Sequence, residues 1–180
     1  MGEKIITIFG SSKPVEGEIE YEFARKLGYE LGKVGFTICN GGYGGTMEAT
    51  ARGAKEAGAK TIGITVATFG GSANKWIDEE IKARDLFERL KILIEKGDGY
   101  VVLKGGTGTL VEISLVWELM NKGLINPKPF IAVSFWSPVI EIISEQLRYE
   151  SREDVAEFIR VMNNIDEIVK YMAQRLIAYK

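Results

Sequence analysis

The sequence predicts one α/β domain, residues 1–180, with a mostly parallel central sheet of about six to seven strands and helices on both faces. Short runs rich in β-branched and aromatic residues alternate with longer amphipathic stretches. Glycine-rich segments follow several of these runs, and a length of 180 residues is that of one ordinary domain. Alternation of this kind indicates βαβ units, so we predict a single three-layer, Rossmann-like domain.

The first half of the chain contains three predicted strands and two predicted helices. The run KIITIF, residues 4–9, predicts a buried strand, and the amphipathic stretch 20–33 predicts the first helix. Residues 36–39 and the run TIGITV, residues 61–66, predict the next two strands. The stretch of small residues at 46–57 predicts a helix between them.

The second half continues the alternation. Residues 68–74 (TFGGSAN) predict a loop, and the mixed stretch that follows predicts a short strand at 80–83. Apolar periodicity predicts the remaining elements, which are helices at 85–96, 109–120, 138–147 and from 165 onward, and strands at 99–103, 129–134 and 158–162.

The composition argues against several classes of protein and site. No apolar run approaches the roughly 20 residues of a membrane helix, and the start MGEKIITIFG lacks the regions of a secretory signal, so we expect a cytoplasmic protein. There is no histidine, and Cys39 is the only cysteine, so we expect no metal site. A net charge of −2 argues against nucleic acid as the main partner.

Three glycine-rich or small-residue segments each follow a predicted strand, namely GSSKP at 10–14, NGGYGGT at 40–46 and KGGTGT at 104–109. In a parallel sheet these segments leave the carboxyl ends of strands and enter helix N-termini, which carry free N–H groups. They therefore predict a site for a phosphorylated small molecule, and a nucleotide in particular. For any one segment the alternative is a tight turn without a ligand. None matches GxGxxG or GxxxxGK[ST], so neither a standard NAD site nor a P-loop is indicated.

Four pieces of the sequence resemble the Lonely Guy (LOG) family, also called "lysine decarboxylase-like". They are, in the same order and spacing, IFGSSKP, GFTICNGGYGGTMEATARGA, FERLKILIEKGDGYVVLKGGTGTLVE and NPKPFIAV. The likeness covers residues 4–133. Its most specific part is Arg89, followed sixteen residues later by a PGGxGTxxE-type motif that runs through Gly105 to Glu112.

Members of that family with a known activity are phosphoribohydrolases. They cut the N-glycosidic bond of a nucleoside 5′-monophosphate to give a free base and ribose 5-phosphate. The resemblance therefore implies a hydrolase of nucleoside monophosphates that requires no cofactor, and not a lysine decarboxylase. The motif holds no lysine for pyridoxal phosphate. The sequence does not identify the base.

The resemblance also implies roles for individual residues. Arg89 and Glu112 would act at the ribose and the scissile bond, where a carboxylate can stabilise an oxocarbenium-like transition state and position or deprotonate water. The planar donor fork of Arg89 would orient the carboxylate and the sugar or phosphate. The residues implied in binding the phosphate and nucleotide are Gly105, Gly106, Thr107, Gly108 and Thr109, with Ser11, Ser12, Gly42, Gly44, Gly45 and Thr46 at the border of the ligand.

Each of these polar residues also has a structural interpretation. Thr109 and Glu112 form a T-x-x-E capping box, which would close the helix N-terminus without any catalysis. Arg89 could be a solvated charge on the helix at 85–96. We interpret Glu48 as electrostatic support at a helix N-terminus rather than as a catalytic group.

Two residues depart from the family pattern. Lys104 replaces the proline of PGG, and Leu90 stands where many active members have lysine after the motif arginine. Lys104 adds a positive charge at the mouth of the expected site, where it would strengthen phosphate binding. Neither change affects Arg89 or Glu112.

A non-catalytic carrier or sensor of a phosphorylated ligand is the main alternative function, because molybdenum-cofactor carrier proteins look similar over the same glycine loops. DNA-processing proteins with a related domain are a third class, against which the acidic balance argues. The resemblance further implies a homodimer. The residues that would supply its apolar surface, unless they lie in the core, are Val111, Leu115, Trp117 and Leu119.

Overall fold

A computed structural model describes residues 3–177, apart from the side chain of Phe69, and it places seven strands in one parallel sheet. The strands are β1 (Ile5–Phe9), β2 (Thr37–Asn40), β3 (Thr61–Val66), β4 (Glu79–Ala83), β5 (Gly99–Val102), β6 (Phe130–Ala132) and β7 (Ile159–Val161). The predicted fold class is therefore confirmed.

Helices connect the parallel strands, except that the connection from β3 to β4 contains only a single 3₁₀ turn. They are α1 (Ile19–Lys33), α2 (Thr46–Glu56), α3 (Leu86–Lys96), α4 (Thr107–Asn121), α5 (Ser137–Tyr149), α6 (Glu153–Ala156) and α7 (Ile165–Leu176). Single 3₁₀ turns at Ala67–Phe69 and Ser134–Trp136 follow β3 and β6. No helix among residues 3–177 has the length and apolar character needed to cross a membrane.

The strand order is β4-β3-β2-β1-β5-β6-β7. The chain moves outward from β1 to β4 and then returns to the other side of β1 with β5, so Ile6 lies opposite Ile38 on one side and Gly99 on the other. The reversal of direction between β1 and β5 is a topological switch point. In open α/β sheets the crevice at the carboxyl ends of such strands is where ligands bind.

Both faces of the sheet are buried. Ile6 and Ile8 of β1 pack in a cluster with residues of α1, α2 and α7, whereas Phe9 packs in a second cluster with residues of α3 and α4. Thr7 also faces this second side, and its hydroxyl donates a hydrogen bond to the Leu93 carbonyl at 3.0 Å. Strands covered on both faces appear as continuous apolar runs, which is why KIITIF was readable as a buried strand.

Three local details differ from the sequence predictions. Helix α4 begins at Thr107, two residues before the predicted start at 109. Strand β6 ends at Ala132 rather than at 134, because the chain turns into a 3₁₀ segment at Ser134. A polar passage that carried no prediction contains the short helix α6, whose Val155 and Ala156 are buried.

Candidate functional site

The carboxyl ends of β1, β2 and β5 surround a cavity of about 400 Å³. A volume of this size accommodates a mononucleotide. Its wall comes from four parts of the chain, which are residues 8–13 at the end of β1, Gly41, Tyr43 and Met47 after β2, Arg89 of α3, and residues 106–109 with Glu112 of α4. The topology therefore brings parts of all three glycine-rich segments together with both members of the predicted Arg–Glu pair.

The N-terminus of α4 opens into this cavity without a side-chain cap. Its N-cap is Gly106, which has no side chain to accept a hydrogen bond from the first turn. The first N–H groups of a helix have no partner inside the helix, and they carry a partial positive charge. Thr107 and Gly108 are exposed, so these donors remain accessible to an anion.

The capping-box interpretation of Glu112 is wrong. A capping box requires Thr109 at the N-cap, but the helix begins at Thr107, and Thr109 is its third residue. Glu112 consequently lies one and a half turns into the helix, too far along to reach back to the N-cap. Its carboxylate has no capping function and faces the cavity instead.

Glu112 is a buried carboxyl group, and few interactions offset the loss of its hydration. Its exposed fraction is 8%, and no hydrogen bond to its carboxylate is present among residues 3–177. Burial raises the pKa of Glu112 to about 7, and the charge of Arg89 offsets this only in part. A carboxyl group with a pKa near neutrality, in a cleft, is suited to proton transfer at physiological pH.

Arg89 is fixed by main-chain carbonyls rather than by a carboxylate, and it is 9% exposed. Its Nε donates to the Ile64 carbonyl at 2.8 Å, and Nη2 donates to the Gly41 carbonyl at 3.3 Å. The guanidinium carbon lies 5.6 Å from the ring centre of Tyr43. A guanidinium has five N–H donors, so donors remain for a ligand. The interpretation of Arg89 as a solvated surface charge is wrong.

Gly41 makes this placement of Arg89 possible. A Cβ atom at position 41 would overlap the Arg89 guanidinium and crowd the Met47 sulfur. Glycine is thus required by the close approach of the arginine and not by a turn. Sequence reasoning missed Gly41, Tyr43 and Met47 as parts of the site, because nothing local in NGGYGGT distinguishes a residue that contacts Arg89.

Tyr43 is held in place from two sides. Its hydroxyl accepts a hydrogen bond from the Val66 amide at 2.8 Å. Its own carbonyl accepts one from Asn74 Nδ2 at 2.8 Å, and the same amide nitrogen donates to the Gly42 carbonyl at 3.1 Å. The loop after β3 therefore anchors the second glycine-rich segment beneath the guanidinium of Arg89.

Ser11 and Ser12 line the cavity as predicted for the first segment. Gly42, Gly44, Gly45 and Thr46 do not line it in the described part of the chain, and Gly45 and Thr46 support the first segment instead. The Thr46 amide donates to the Ser11 carbonyl at 2.8 Å. Gly45 has φ +69°, and a Cβ there would overlap the backbone of Ser11 and Ser12. Gly105 lies just outside, in an adjoining groove.

The residues that depart from the family pattern have structural partners. Lys104 Nζ donates to Glu20 Oε1 at 2.9 Å, so its charge is already paired at the mouth of the site. Leu90 is buried, with 5% of its surface exposed. Glu48 accepts a hydrogen bond from the Tyr21 hydroxyl at 3.2 Å, away from the cavity. Among residues 3–177, no group of three or more carboxylates or thiols is arranged to hold a metal ion.

Comparison with known proteins gives a consistent result. A family model described as the "SLOG cluster4 family" matches residues 3–164. The cytokinin riboside 5′-monophosphate phosphoribohydrolase of Mycobacterium tuberculosis is 28% identical over 138 residues, which cover 75% of this chain and 73% of that protein. The pyrimidine/purine nucleotide 5′-monophosphate nucleosidase of Escherichia coli K12 is 28% identical over 177 residues, covering 85% of this chain but only 39% of the longer relative.

Among solved structures, the molybdenum cofactor carrier protein of Chlamydomonas reinhardtii aligns with a TM-score of 0.75. The alignment covers 98% of this chain and all of that protein, at 22% identity. A likeness at this level of identity establishes the shared fold.

Proposed function

The chain belongs to the SLOG cluster4 family, and from this premise and the geometry of its cavity we propose that it is a nucleoside 5′-monophosphate phosphoribohydrolase. The observation that carries the proposal is the pairing of two features in one cavity, an uncapped helix N-terminus and a buried carboxyl group with a pKa near 7. The first feature is suited to binding a phosphate, and the second is suited to cleavage of a glycosidic bond.

The 5′-phosphate binds to the free N–H groups at residues 106–109, with the hydroxyls of Thr107, Ser11 and Ser12 around it. The ribose then lies between this helix end and Arg89. With the phosphate at one end and Arg89 at the other, the glycosidic carbon is placed close to the Glu112 carboxylate. Positioning of this kind supplies a large part of the rate enhancement in many enzymes.

Cleavage breaks the bond between the glycosidic carbon and the base nitrogen, and the electron pair leaves with the base. Ionised Glu112 stabilises the positive charge that develops on the sugar, and it accepts a proton from the attacking water. The water oxygen bonds to the glycosidic carbon to give ribose 5-phosphate. The departing base takes up a proton from solvent water, and Glu112 returns to solvent the proton that it accepted, so one water molecule is consumed for each bond broken. Arg89 holds the sugar and lowers the pKa of Glu112 enough for the ionised form to be populated at neutral pH.

The direct test is incubation of the protein with a panel of nucleoside monophosphates, with free base and ribose 5-phosphate followed by chromatography. We expect release by the wild type and a fall in rate of at least about 100-fold for Glu112→Gln, the usual scale for loss of a general base. Glu118→Gln is the matched control, because Glu118 lies on the same helix but its side chain is 55% exposed and paired with Lys122. Activity without added metal, and in the presence of EDTA, is expected.

Binding of a nucleotide without release of base would instead favour a carrier or sensor of a phosphorylated ligand. Equal release by the wild type and by Glu112→Gln would disprove the role given to Glu112. The panel includes both purine and pyrimidine monophosphates.

We also propose that residues 1–180 work as one unit in the cytoplasm and as a homodimer. Helices α4 and α5 carry a row of partly exposed apolar residues around a groove of about 270 Å³, namely Leu110, Val111, Val139, Ile142 and Ile143. Of the residues considered from the sequence, Val111 is 46% exposed, whereas Trp117 is buried and Leu115 and Leu119 pack against the core. Light scattering on the wild type and on Ile142→Glu tests the dimer, which the charge would disrupt.

A further inference from the structure

The cavity at Glu112 continues beyond the end that holds the phosphate in the proposed function. A groove of about 610 Å³ shares Ser11 and Lys13 with the cavity and runs past Gly105 to the start of α1. A third pocket, of about 300 Å³, shares Ile19, Glu20 and Lys104 with that groove. The three spaces therefore adjoin one another along the carboxyl edge of the sheet, on both sides of the switch point.

The third pocket, which we call the distal pocket, has the walls of a site for a flat apolar group. Phe23, Leu103, Val133 and Phe135 contribute to its lining. Phe135 is 48% exposed at the rim, with the Lys104 ammonium 5.7 Å from its ring centre, so part of a large aromatic ring is available for stacking. Asn163 provides a polar edge, although its Oδ1 already accepts a hydrogen bond from the Ser134 amide at 2.8 Å.

Two lysines lie in the groove between the cavity and the distal pocket. Lys13 lines both the cavity and the groove, and its ammonium has no ion pair among the described residues. Lys104 lies between the groove and the distal pocket, with Nζ 2.9 Å from Glu20 Oε1 and 5.7 Å from the ring centre of Phe135. The arrangement offers positive charge next to the place where a first phosphate would bind.

The pairing of Lys104 with Glu20 does not prevent it from binding an anion. Their side chains are 53% and 39% exposed, and ion pairs of this exposure contribute little to stability. Glu20 lies in the first turn of α1, where the helix dipole favours a carboxylate even without the lysine. Glu18, the other acidic residue of the groove, accepts a hydrogen bond from the Val15 amide at 2.9 Å.

We propose that this chain binds nucleotides that carry a substituent on the 5′-phosphate, that is, two nucleosides or a nucleoside and another flat group joined through a diphosphate. The first phosphate lies at residues 106–109, the second meets Lys13 and Lys104, and the distal ring stacks on Phe135. Lys104 is only two residues from Gly106, a separation of at most about 7 Å, which matches the step from one phosphate to the next group. This inference depends on the position of the first phosphate in the proposed function.

The test is a ladder of three probes measured by isothermal titration calorimetry, in a Glu112→Gln background so that no probe is consumed. Adenosine 5′-monophosphate reports the cavity alone, ADP adds the second phosphate, and diadenosine 5′,5′-diphosphate adds the distal ring. We expect affinity to rise along the series, by at least about fivefold at the last step, as one base stacked on an aromatic side chain contributes.

Variants assign each step to a part of the structure. Phe135→Ser should remove the gain of the dinucleotide over ADP and leave the affinity for the monophosphate within about twofold, because stacking is lost only at the distal ring. Lys104→Gln should weaken ADP and the dinucleotide more than the monophosphate, and Glu20→Gln, which frees Lys104, should strengthen both. Lys60→Gln is the control, since Lys60 pairs with Glu79 at 2.7 Å with similar exposure at the other edge of the sheet.

The outcomes separate this inference from the proposed function. If the monophosphate binds and is cleaved by the wild type but the dinucleotide binds no more tightly, the inference is overturned and the proposed function stands. The inference is also overturned if the dinucleotide binds more tightly than ADP but its affinity is unchanged by Phe135→Ser and Lys104→Gln. If none of the three probes binds and the wild type cleaves no nucleoside monophosphate of the panel, both proposals are wrong.

Discussion

A cationic side chain donates hydrogen bonds to main-chain carbonyls at each edge of the sheet, Lys128 at the amino ends of the strands and Arg89 at their carboxyl ends. The two cations differ in what else they contact. At the amino edge, Lys128 Nζ donates to the Gly97 carbonyl at 2.6 Å and to the Tyr100 hydroxyl at 3.2 Å, where α3 ends. At the carboxyl edge, Arg89 donates to the carbonyls of Ile64 and Gly41. Lys128 thus satisfies groups that the helix end leaves unpaired. Arg89 also lines a cavity opposite Glu112, where no other part of the described chain neutralises the carboxyl group.

The difference indicates which edge is built for a ligand. Charges near the amino edge are paired within the chain, as in Lys4 with Asp98 at 2.9 Å and Lys60 with Glu79 at 2.7 Å. At the carboxyl edge a carboxyl group stays buried without a hydrogen bond, at a cost in stability. Groups kept in such a state are characteristic of functional sites, and the predictions below test whether the two edges separate function from stability.

The largest expected effect is on activity, for Arg89→Met. The variant keeps an apolar stem but loses the donors that hold the sugar in the proposed function, so kcat/KM should fall about 100-fold, the scale seen when one positioned donor is removed. Arg89 also lowers the pKa of Glu112. The midpoint of the rising pH–rate profile, expected near 7 in the wild type, should therefore move to higher pH in the variant.

Arg84→Met provides the matched comparison for this experiment, because Arg84 lies just before the same helix but its side chain is 83% exposed. A similar loss of activity in both variants would mean that Arg89 has no special role. A loss in Arg89→Met with an unmoved pH midpoint would show that Arg89 and Glu112 do not interact.

The next effect is a gain in stability for Glu112→Gln. Because the pKa of Glu112 is about 7 in the fold and near 4.5 in the unfolded chain, its ionisation destabilises the fold. That penalty is absent below pH 4.5, grows between the two pKa values and is complete above pH 7. Urea denaturation should show the variant more stable than the wild type by about 3 kcal/mol at pH 8 and by almost nothing at pH 4.5.

A variant of equal or lower stability at pH 8 would show that Glu112 is better solvated or better paired than its surroundings indicate. Glu118→Gln again serves as the control, with no pH-dependent gain expected, because its exposed carboxylate forms a helical ion pair with Lys122.

The sequence was sufficient for the sheet, and it led to two polar residues that the structure brings to one cavity, Arg89 and Glu112. Buried strands such as KIITIF carry their signal locally, and the spacing from Arg89 to Gly105 identified the candidate pair. Contacts between segments that are distant in the sequence could not be predicted from it. The approach of Arg89 to Gly41 and Tyr43 depends on how α3 packs over β2, and the pairing of Lys104 with Glu20 spans 84 positions.

The start of α4 shows a second limit of sequence reasoning. The T-x-x-E pattern at Thr109 is a genuine cap signature. The helix nevertheless begins two residues earlier, at Thr107, so Thr109 is inside the helix and not at its N-cap. A local pattern therefore supported the wrong interpretation of Glu112, and only the tertiary position of the helix end corrects it.

The smallest effect, and the one that tests the amino edge, is expected for Lys128→Met. The change preserves the apolar stem but leaves the Gly97 carbonyl and the Tyr100 hydroxyl without the ammonium donor. Since Lys128 is only half-buried, water replaces part of what is lost, and we expect a decrease of about 1 kcal/mol in the free energy of unfolding at pH 7. Nucleotide cleavage by the folded variant should stay within about twofold of the wild type, because this edge provides no group to the cavity. Lys91→Met, at a side chain 70% exposed on α3, should change neither quantity. If Lys128→Met lost activity as well as stability, the two edges would be coupled through α3. This helix carries Arg89, and Lys128 donates hydrogen bonds to carbonyls at its C-terminal end.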